Sequence, residues 1–422
     1  MSTATQPRVL WNRIFALAAL NGTITFAWLA YILYLPKLLE QSGLPLIAVS
    51  VFLIVEGVLS AIVEPWMGSL SDDRQRRAAS RYPLIAAGVL ATCGLFVVLP
   101  LVVFANPGGL SQWLVPVLLI AWSLAMAVFR SPALALLSRY AAPSSVPLAA
   151  GVLSIASGLA GALGPFGRPW LLERGPLVVF GIASVVLLVS ALVLGRLERN
   201  TGLSLPYGSI YISTRLVPKS VGRDADPDSG KLPLTVPRLA LIFCTGVGAS
   251  LGFRFLVEVF PKVLTPLGIT PGPVMGALFL SFAALALPAG FLAVRVGNGR
   301  TMCAGLLTMA LLVMLVPTCR DVGTAFALAC ALGAAHSLVL NGLYAYVLGI
   351  VPLERAGLGI GLYFGGGGVA MALAGALAPQ LQSLGLFTGV LIGCAGFLVA
   401  ALCLVLTGSV RSRASELATV NL

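Results

Sequence analysis

The sequence predicts an all-α polytopic membrane protein, with twelve transmembrane helices arranged as two pseudo-symmetric bundles of six. Three observations predict it. Charged residues make up 9% of the chain and hydrophobic residues 59%, against the roughly 25% charge of an ordinary soluble domain. The mean hydropathy is +1.01. The apolar residues also fall in continuous runs of about 20 residues, the length at which a helix crosses the hydrocarbon of a bilayer. Continuous runs mark helices; a barrel, the other structure able to satisfy its backbone in lipid, needs alternation.

The elements follow in order. Apolar runs lie near 14–36, 46–69, 83–105, 113–138, 146–166 and 176–195, and again near 238–260, 271–294, 301–318, 322–350, 355–380 and 384–408. The first run is long and follows Arg8 and Arg13, so it reads as a helix rather than a cleaved signal. The expected organisation is a cytoplasmic N-terminus (1–13), a first bundle (14–196), a polar cytoplasmic linker (197–237), a second bundle (238–408) and a cytoplasmic tail (409–422). Within the linker, Tyr207 to Ser213 reads as a short interfacial segment or as plain linker.

Charge orients the spans. With both termini inside, the cytoplasmic segments hold 19 of the 26 Lys and Arg residues, as the positive-inside rule requires. The opposite loops hold five (Lys37, Arg168, Arg174, Lys262, Arg320), and Arg130 and Arg254 fall inside spans. The net charge of +12 is therefore a topology signal; it lies between apolar runs and not along a soluble nucleic-acid-binding face. The seven cysteines have no metal-ligand spacing and the one histidine is His336, so no metal or other cofactor is expected and the cysteines read as small packing residues. No Ser/His/Asp set and no Gly-x4-Gly-Lys-Ser/Thr loop occurs, which argues against an enzyme and against an ATP-driven pump.

The halves echo each other, as in transporters built from repeats. The second span ends Pro65-Trp-Met-Gly68-Ser-Leu70-Ser71-Asp72 before Arg74, Arg76, Arg77 and Arg81; the eighth ends Pro288-Ala-Gly290-Phe-Leu292-Ala293-Val-Arg295 before Arg300. A weaker echo relates Pro143 and Ala149-Ala-Gly151 to Pro352 and Arg355-Ala-Gly357. The segment Gly68-Ser-Leu-Ser-Asp72 with its trailing arginines resembles the signature between the second and third helices of the major facilitator superfamily. That resemblance implies the twelve-helix facilitator fold and secondary transport. It makes Gly68, Asp72, Arg77 and Arg81 a gating motif, in which Asp72 pairs with an arginine or caps a neighbouring helix N-terminus.

A narrower resemblance covers residues 20 to about 90. Ala27-Trp28 through Leu35-Pro36, Gly43-Leu-Pro45, Glu64-Pro65 through Asp72, and Arg81-Tyr-Pro83-Leu-Ile-Ala-Ala-Gly88 are similar to the sucrose–proton symporters, which group with the glycoside–pentoside–hexuronide cation symporters. It implies a sugar or glycoside as substrate, moved with a proton or cation. In the fourth span, Pro132-Ala-Leu134-Ala-Leu136-Leu137-Ser-Arg139 looks like that branch's Pro-x-Arg-Ala-Leu-Leu-Ala-Asp, with Leu134 and Arg139 standing where it has Arg and Asp.

Ionisable residues at bilayer depth are costly and mark function by default. Glu56 is a proton-coupling carboxylate or a structural interhelical hydrogen-bonding group. Arg254 and Glu258 stand four apart on one helix face and form an ion pair, or exchange partners during transport, with Glu258 a second coupling acid. Arg130 binds an anionic substrate or bridges to Glu64 or Glu56. Trp28 and Tyr31 offer aromatic surface to a sugar, with Asn21, Thr23 and Thr25 as hydrogen-bonding groups, or they pack. His336, Asn341, Tyr344 and Tyr346 cluster in the tenth span, as site or as interhelical contacts. Gly151, Gly158, Gly161 and Gly164-Pro165 partly resemble the glycine-proline motif of major facilitator exporters, and the run Gly365 to Gly368 reads as close packing first and hinge second.

The leading expectation is thus a transporter of a small polar solute, sugar favoured, working as a monomer in the bilayer by alternating access. Beside it stand an organic anion carrier or exporter, and a non-transporting receptor or assembly factor with the same fold. The compact loops point to a bacterial inner membrane.

Overall fold

The computed structural model describes residues 9–45, 47–78, 80–105, 109, 111–199 and 235–420, and within these the backbone is almost wholly helical. The expected interfacial segment at 207–213 lies outside them. The helices are α1 (Trp11–Gln41), α2 (Ile47–Ala78), α3 (Tyr82–Ala105) and α4 (Ser111–Ala135, followed by a turn Leu137–Tyr140). A continuous run Val146–Arg199 contains one non-helical residue, Gly175 (φ 79°, ψ 162°). A side chain is disfavoured at that φ, and Pro176 follows directly, so the run is two spans, α5 (146–174) and α6 (176–199). The second half comprises α7 (Val236–Leu264), α8 (Pro271–Ala284 and Ala286–Val296), α9 (Asn298–Leu315), α10 (Val322–Ile350), α11 (Ala356–Leu384) and α12 (Leu386–Val420).

Several boundaries differ from the sequence expectation. Helix α1 runs on through Pro36 to Gln41, and α2 continues into the arginine-rich segment to Ala78; hydropathy marks where lipid ends, not where the helix does. The backbone of α12 is helical to Val420, across most of the expected tail. The single span expected at 271–294 is two helical arms bent by 47°. Pro288 explains the joint: it has no N–H to offer Ala284, and its ring crowds that carbonyl. Asp321 starts α10 with a capping box, accepting from the Thr324 amide at 2.9 Å while the Thr324 hydroxyl accepts from the Asp321 amide.

The two bundles meet along α2–α11 and α5–α8. At the end bearing the chain termini the contact is backbone on backbone: a Cβ on Gly68 would overlap the carbonyl of Gly357, and a Cβ on Gly357 would overlap that of Gly68. The run Gly365 to Gly368 lies at a three-way crossing, where Gly365 and Gly368 face α2 and Gly366 faces α7. Inside the first bundle a ladder of rings forms the core, Tyr31 on Trp122 (centroids 4.3 Å apart), Trp122 on Phe96 (4.5 Å) and Phe96 on Phe180 (4.3 Å).

Candidate functional site

A cavity of about 1030 Å³ lies between the bundles. It is bounded by α1, α4 and α5 on one side and by α7, α8, α10 and α11 on the other. Its lining runs from the middle of the helices, at Asn21, Arg130, Ser157, His336 and Tyr344, to Pro36, Arg168, Pro261 and Pro271 at the end away from the termini. The opposite end is sealed. There Asp72 accepts hydrogen bonds from the backbone amides of Gly357 (2.9 Å) and Leu358 (2.8 Å), the first turn of α11, where the helix dipole favours a carboxylate. The same carboxylate takes an ion pair from Arg81 Nη2 at 2.6 Å, with both side chains wholly buried. Asp72 therefore pairs with an arginine and caps a helix at once. Arg77, grouped with this motif by sequence, is exposed and outside the contact.

The cavity brings together Asn21, Trp28, Arg130, Arg254, His336 and Tyr344. It does not include Tyr31 or Asn341. Tyr31 is buried in the ring ladder behind the cavity wall, with its hydroxyl donating to Glu56. Asn341 turns to the joint of α8, where its amide donates to the Ala286 carbonyl beside Gly151. Thr23 binds Ser190 at 2.9 Å and Tyr346 lies between Thr245 and Thr407, both as interhelical contacts. Glu56 is fully buried beside Tyr31, and its second oxygen has no partner. Glu258, expected against Arg254 or as a coupling acid, instead pairs with Lys262 at 3.0 Å and stays outside the cavity lining. Both are four residues apart from it, and the C-terminal partner reaches less crowded space.

The two cavity arginines stand in different surroundings. Arg130 Nε donates to Glu64 Oε1 at 2.8 Å and its Nη2 makes an ion pair with the same oxygen at 2.5 Å, while the Ser131 hydroxyl holds Glu64 Oε2. Its guanidinium lies 4.6 Å from the Phe364 ring centroid and 5.7 Å from that of Trp28. Arg254 has no carboxylate within ion-pair distance among the described residues, Glu258 acting on it only from further away. A third arginine, Arg168, is exposed at the far rim. No Asp or Glu lines the cavity among the described residues. The walls are otherwise apolar and aromatic, and His336 stacks on Phe253 (4.1 Å, 14°) with an edge to Phe282 (5.1 Å).

Sequence reasoning missed Phe253, Phe279, Phe282, Phe364 and Phe397 in the wall and Ser157 opposite Asn21. An apolar residue on an apolar helix carries no signal that it faces a cavity. Arg139, in the altered fourth-span motif, reaches Gln75 (3.2 Å) and Glu198 (3.8 Å) at the termini end, far from the cavity.

Among known proteins, residues 242–419, most of the second bundle, match the family model of the Major Facilitator Superfamily. No curated protein sequence matches the chain. Among solved structures the chain is similar to the human organic anion transporter MFSD10 (TETRAN), at 15% identity and a TM-score of 0.57, over 94% of this chain and 98% of that one. The likeness establishes the fold: this is a polytopic helical membrane protein with the major facilitator fold.

Proposed function

We propose that this major-facilitator-fold protein is a secondary transporter whose substrate is an amphipathic organic anion. One observation carries the reading: a large, mostly apolar cavity presents arginines and, among the described residues, no carboxylate. An uncompensated guanidinium at bilayer depth is costly, and an incoming carboxylate, sulfonate or phosphate removes that cost through bidentate hydrogen bonds. The aromatic wall suits an apolar body behind the acidic group. The likeness to a protein described as an organic anion transporter agrees with it.

A sugar is served less well. Asn21 already donates to Ser157 Oγ (2.7 Å) and the Leu153 carbonyl (3.3 Å), and Tyr31 and Asn341 face elsewhere. With both termini cytoplasmic, as the arginine bias predicts, the cavity opens outward while the Asp72 contact closes the inside. Alternating access would then break that contact and close the rim around Pro36, Arg168 and Pro261.

The test is uptake into proteoliposomes of naphthalene-2-sulfonate, its neutral sulfonamide and sucrose. Saturable sulfonate uptake, with the sulfonamide and sucrose excluded, is expected. Sucrose uptake without sulfonate flux would overturn the anion reading in favour of the sugar.

A further inference from the structure

The Arg130–Glu64–Ser131 cluster has more in it than a neutralised cation. Glu64 is completely buried, and both its oxygens are engaged from α4. Arg130 is the bridge between this carboxylate and the cavity: Nε and Nη2 face Glu64, while Nη1 has no hydrogen-bond partner among the described residues and the guanidinium lies over Phe364. The backbone at Glu64 is also pressed against the gate, since a Cβ on Gly361 of α11 would overlap the Glu64 carbonyl. Two turns further along α2 is Asp72, on the α11 N-terminus.

We infer that Glu64 is a proton site that governs Arg130: protonation of Glu64 frees the guanidinium for the substrate anion, so that one proton and one anion occupy the transporter together. This rests on the anion reading above. The local arrangement favours it. With Glu64 ionised, Arg130 Nε and Nη2 are committed to its carboxylate; with Glu64 neutral they are released to the oxygens of an anion. The proton offsets the charge the anion brings, and Arg254 keeps its charge in both states, so loading adds no net charge to a low-dielectric interior. Proton and anion therefore bind with positive coupling, and each raises the affinity for the other by the same factor.

The groups around Glu64 are compatible with this assignment. From α4 it meets Arg130 and Ser131. Tyr344 of α10 lies within the field of Arg130, and Tyr363 of α11 shares the cavity wall. On α2 itself, Asp72 is held by Arg81 and Glu56 by Tyr31. His336 is across the cavity on Phe253.

The experiment is calorimetric binding of naphthalene-2-sulfonate, which stays anionic throughout, to purified protein at about pH 5.5 and about pH 8, in buffers of differing ionisation enthalpy. Wild type is expected to take up about one proton per anion in the upper range, its affinity falling by up to about tenfold per pH unit there. In Glu64→Gln binding should stay tight at both pH values with no proton uptake; Glu56→Gln should keep the wild-type pH dependence. If Glu64→Gln does not fold, proton uptake by wild type that persists in Glu56→Gln supports the assignment, and its loss there overturns it. Tight wild-type binding without pH dependence overturns the proton site and leaves the anion reading standing. No sulfonate binding at any pH overturns both.

Discussion

The two halves of the molecule bury charge in opposite ways. The first bundle buries three carboxylates, Glu56, Glu64 and Asp72, and each has a donor: Tyr31, Arg130 with Ser131, and Arg81 with two α11 amides. In the second bundle the acids Glu258, Asp321 and Glu354 are partly or fully exposed, yet Arg254 stands in the cavity with no ion pair among the described residues. A buried charge that is fully paired contributes specificity and switching rather than net stability. A buried charge left without a partner carries its desolvation cost uncompensated. The contrast places the paired carboxylates, and Arg130 with them, in the first half and leaves Arg254 in the second as a cavity arginine without an ion pair among the described residues.

The contrast is broken most severely at Arg81. Arg81→Met leaves Asp72 buried against α11 with only its two amide donors, and should cost about 3 to 5 kcal/mol, read as a large fall in thermal stability in detergent. An unchanged melting temperature would mean that the pair is not buried in the protein in solution. Next comes the open arginine. Arg254→Gln should weaken naphthalene-2-sulfonate binding by about tenfold to a hundredfold, the worth of a hydrogen bond to a charged group, without a comparable loss of stability. Equal binding by the variant would remove Arg254 from recognition and leave Arg130 as the sole anchor.

The smallest effect sharpens the comparison from outside the membrane. The Thr324 amide, chief among its backbone donors, holds Asp321 below the usual carboxylate range. A depressed folded-state value means that the cap stabilises above the unfolded carboxyl's titration and is lost as pH falls through the folded one. Asp321→Ala should lower the melting temperature slightly near neutral pH, and the difference from wild type should shrink towards zero on acidification. A difference that persists in acid would assign the effect to packing rather than to the ionised cap.

Much of the fold was legible because the bilayer reads sequence crudely. Among the described residues ten helices are long and apolar enough to cross a membrane, and the breaks at Gly175 and Pro288 supply the remaining spans through the backbone limits of glycine and proline. Legibility falls off at the site. The tenth span was correctly full of polar residues, but His336 and Tyr344 face the cavity while Asn341 faces α8. On the first helix Trp28 lines the cavity and Tyr31, three residues on, lies within the bundle. In a soluble helix the apolar stripe announces the inward face. Here lipid and core are both apolar, so periodicity cannot say which side is which.

The sequence by itself determined the number of spans, the connections that carry the basic residues, and the few ionisable residues that fall within apolar runs, because each of these is a local matter of hydrogen bonds or solvation. Only the tertiary structure decided how those residues meet. Arg130 and Glu64 are 66 positions apart in the chain and share a hydrogen bond and an ion pair; Arg254 and Glu258 are four apart and share neither. Helix spacing permits a neighbouring pair, but packing of α2 against α4 and the open space beside Lys262 fix which pair forms, and so which arginine lacks an ion pair among the described residues.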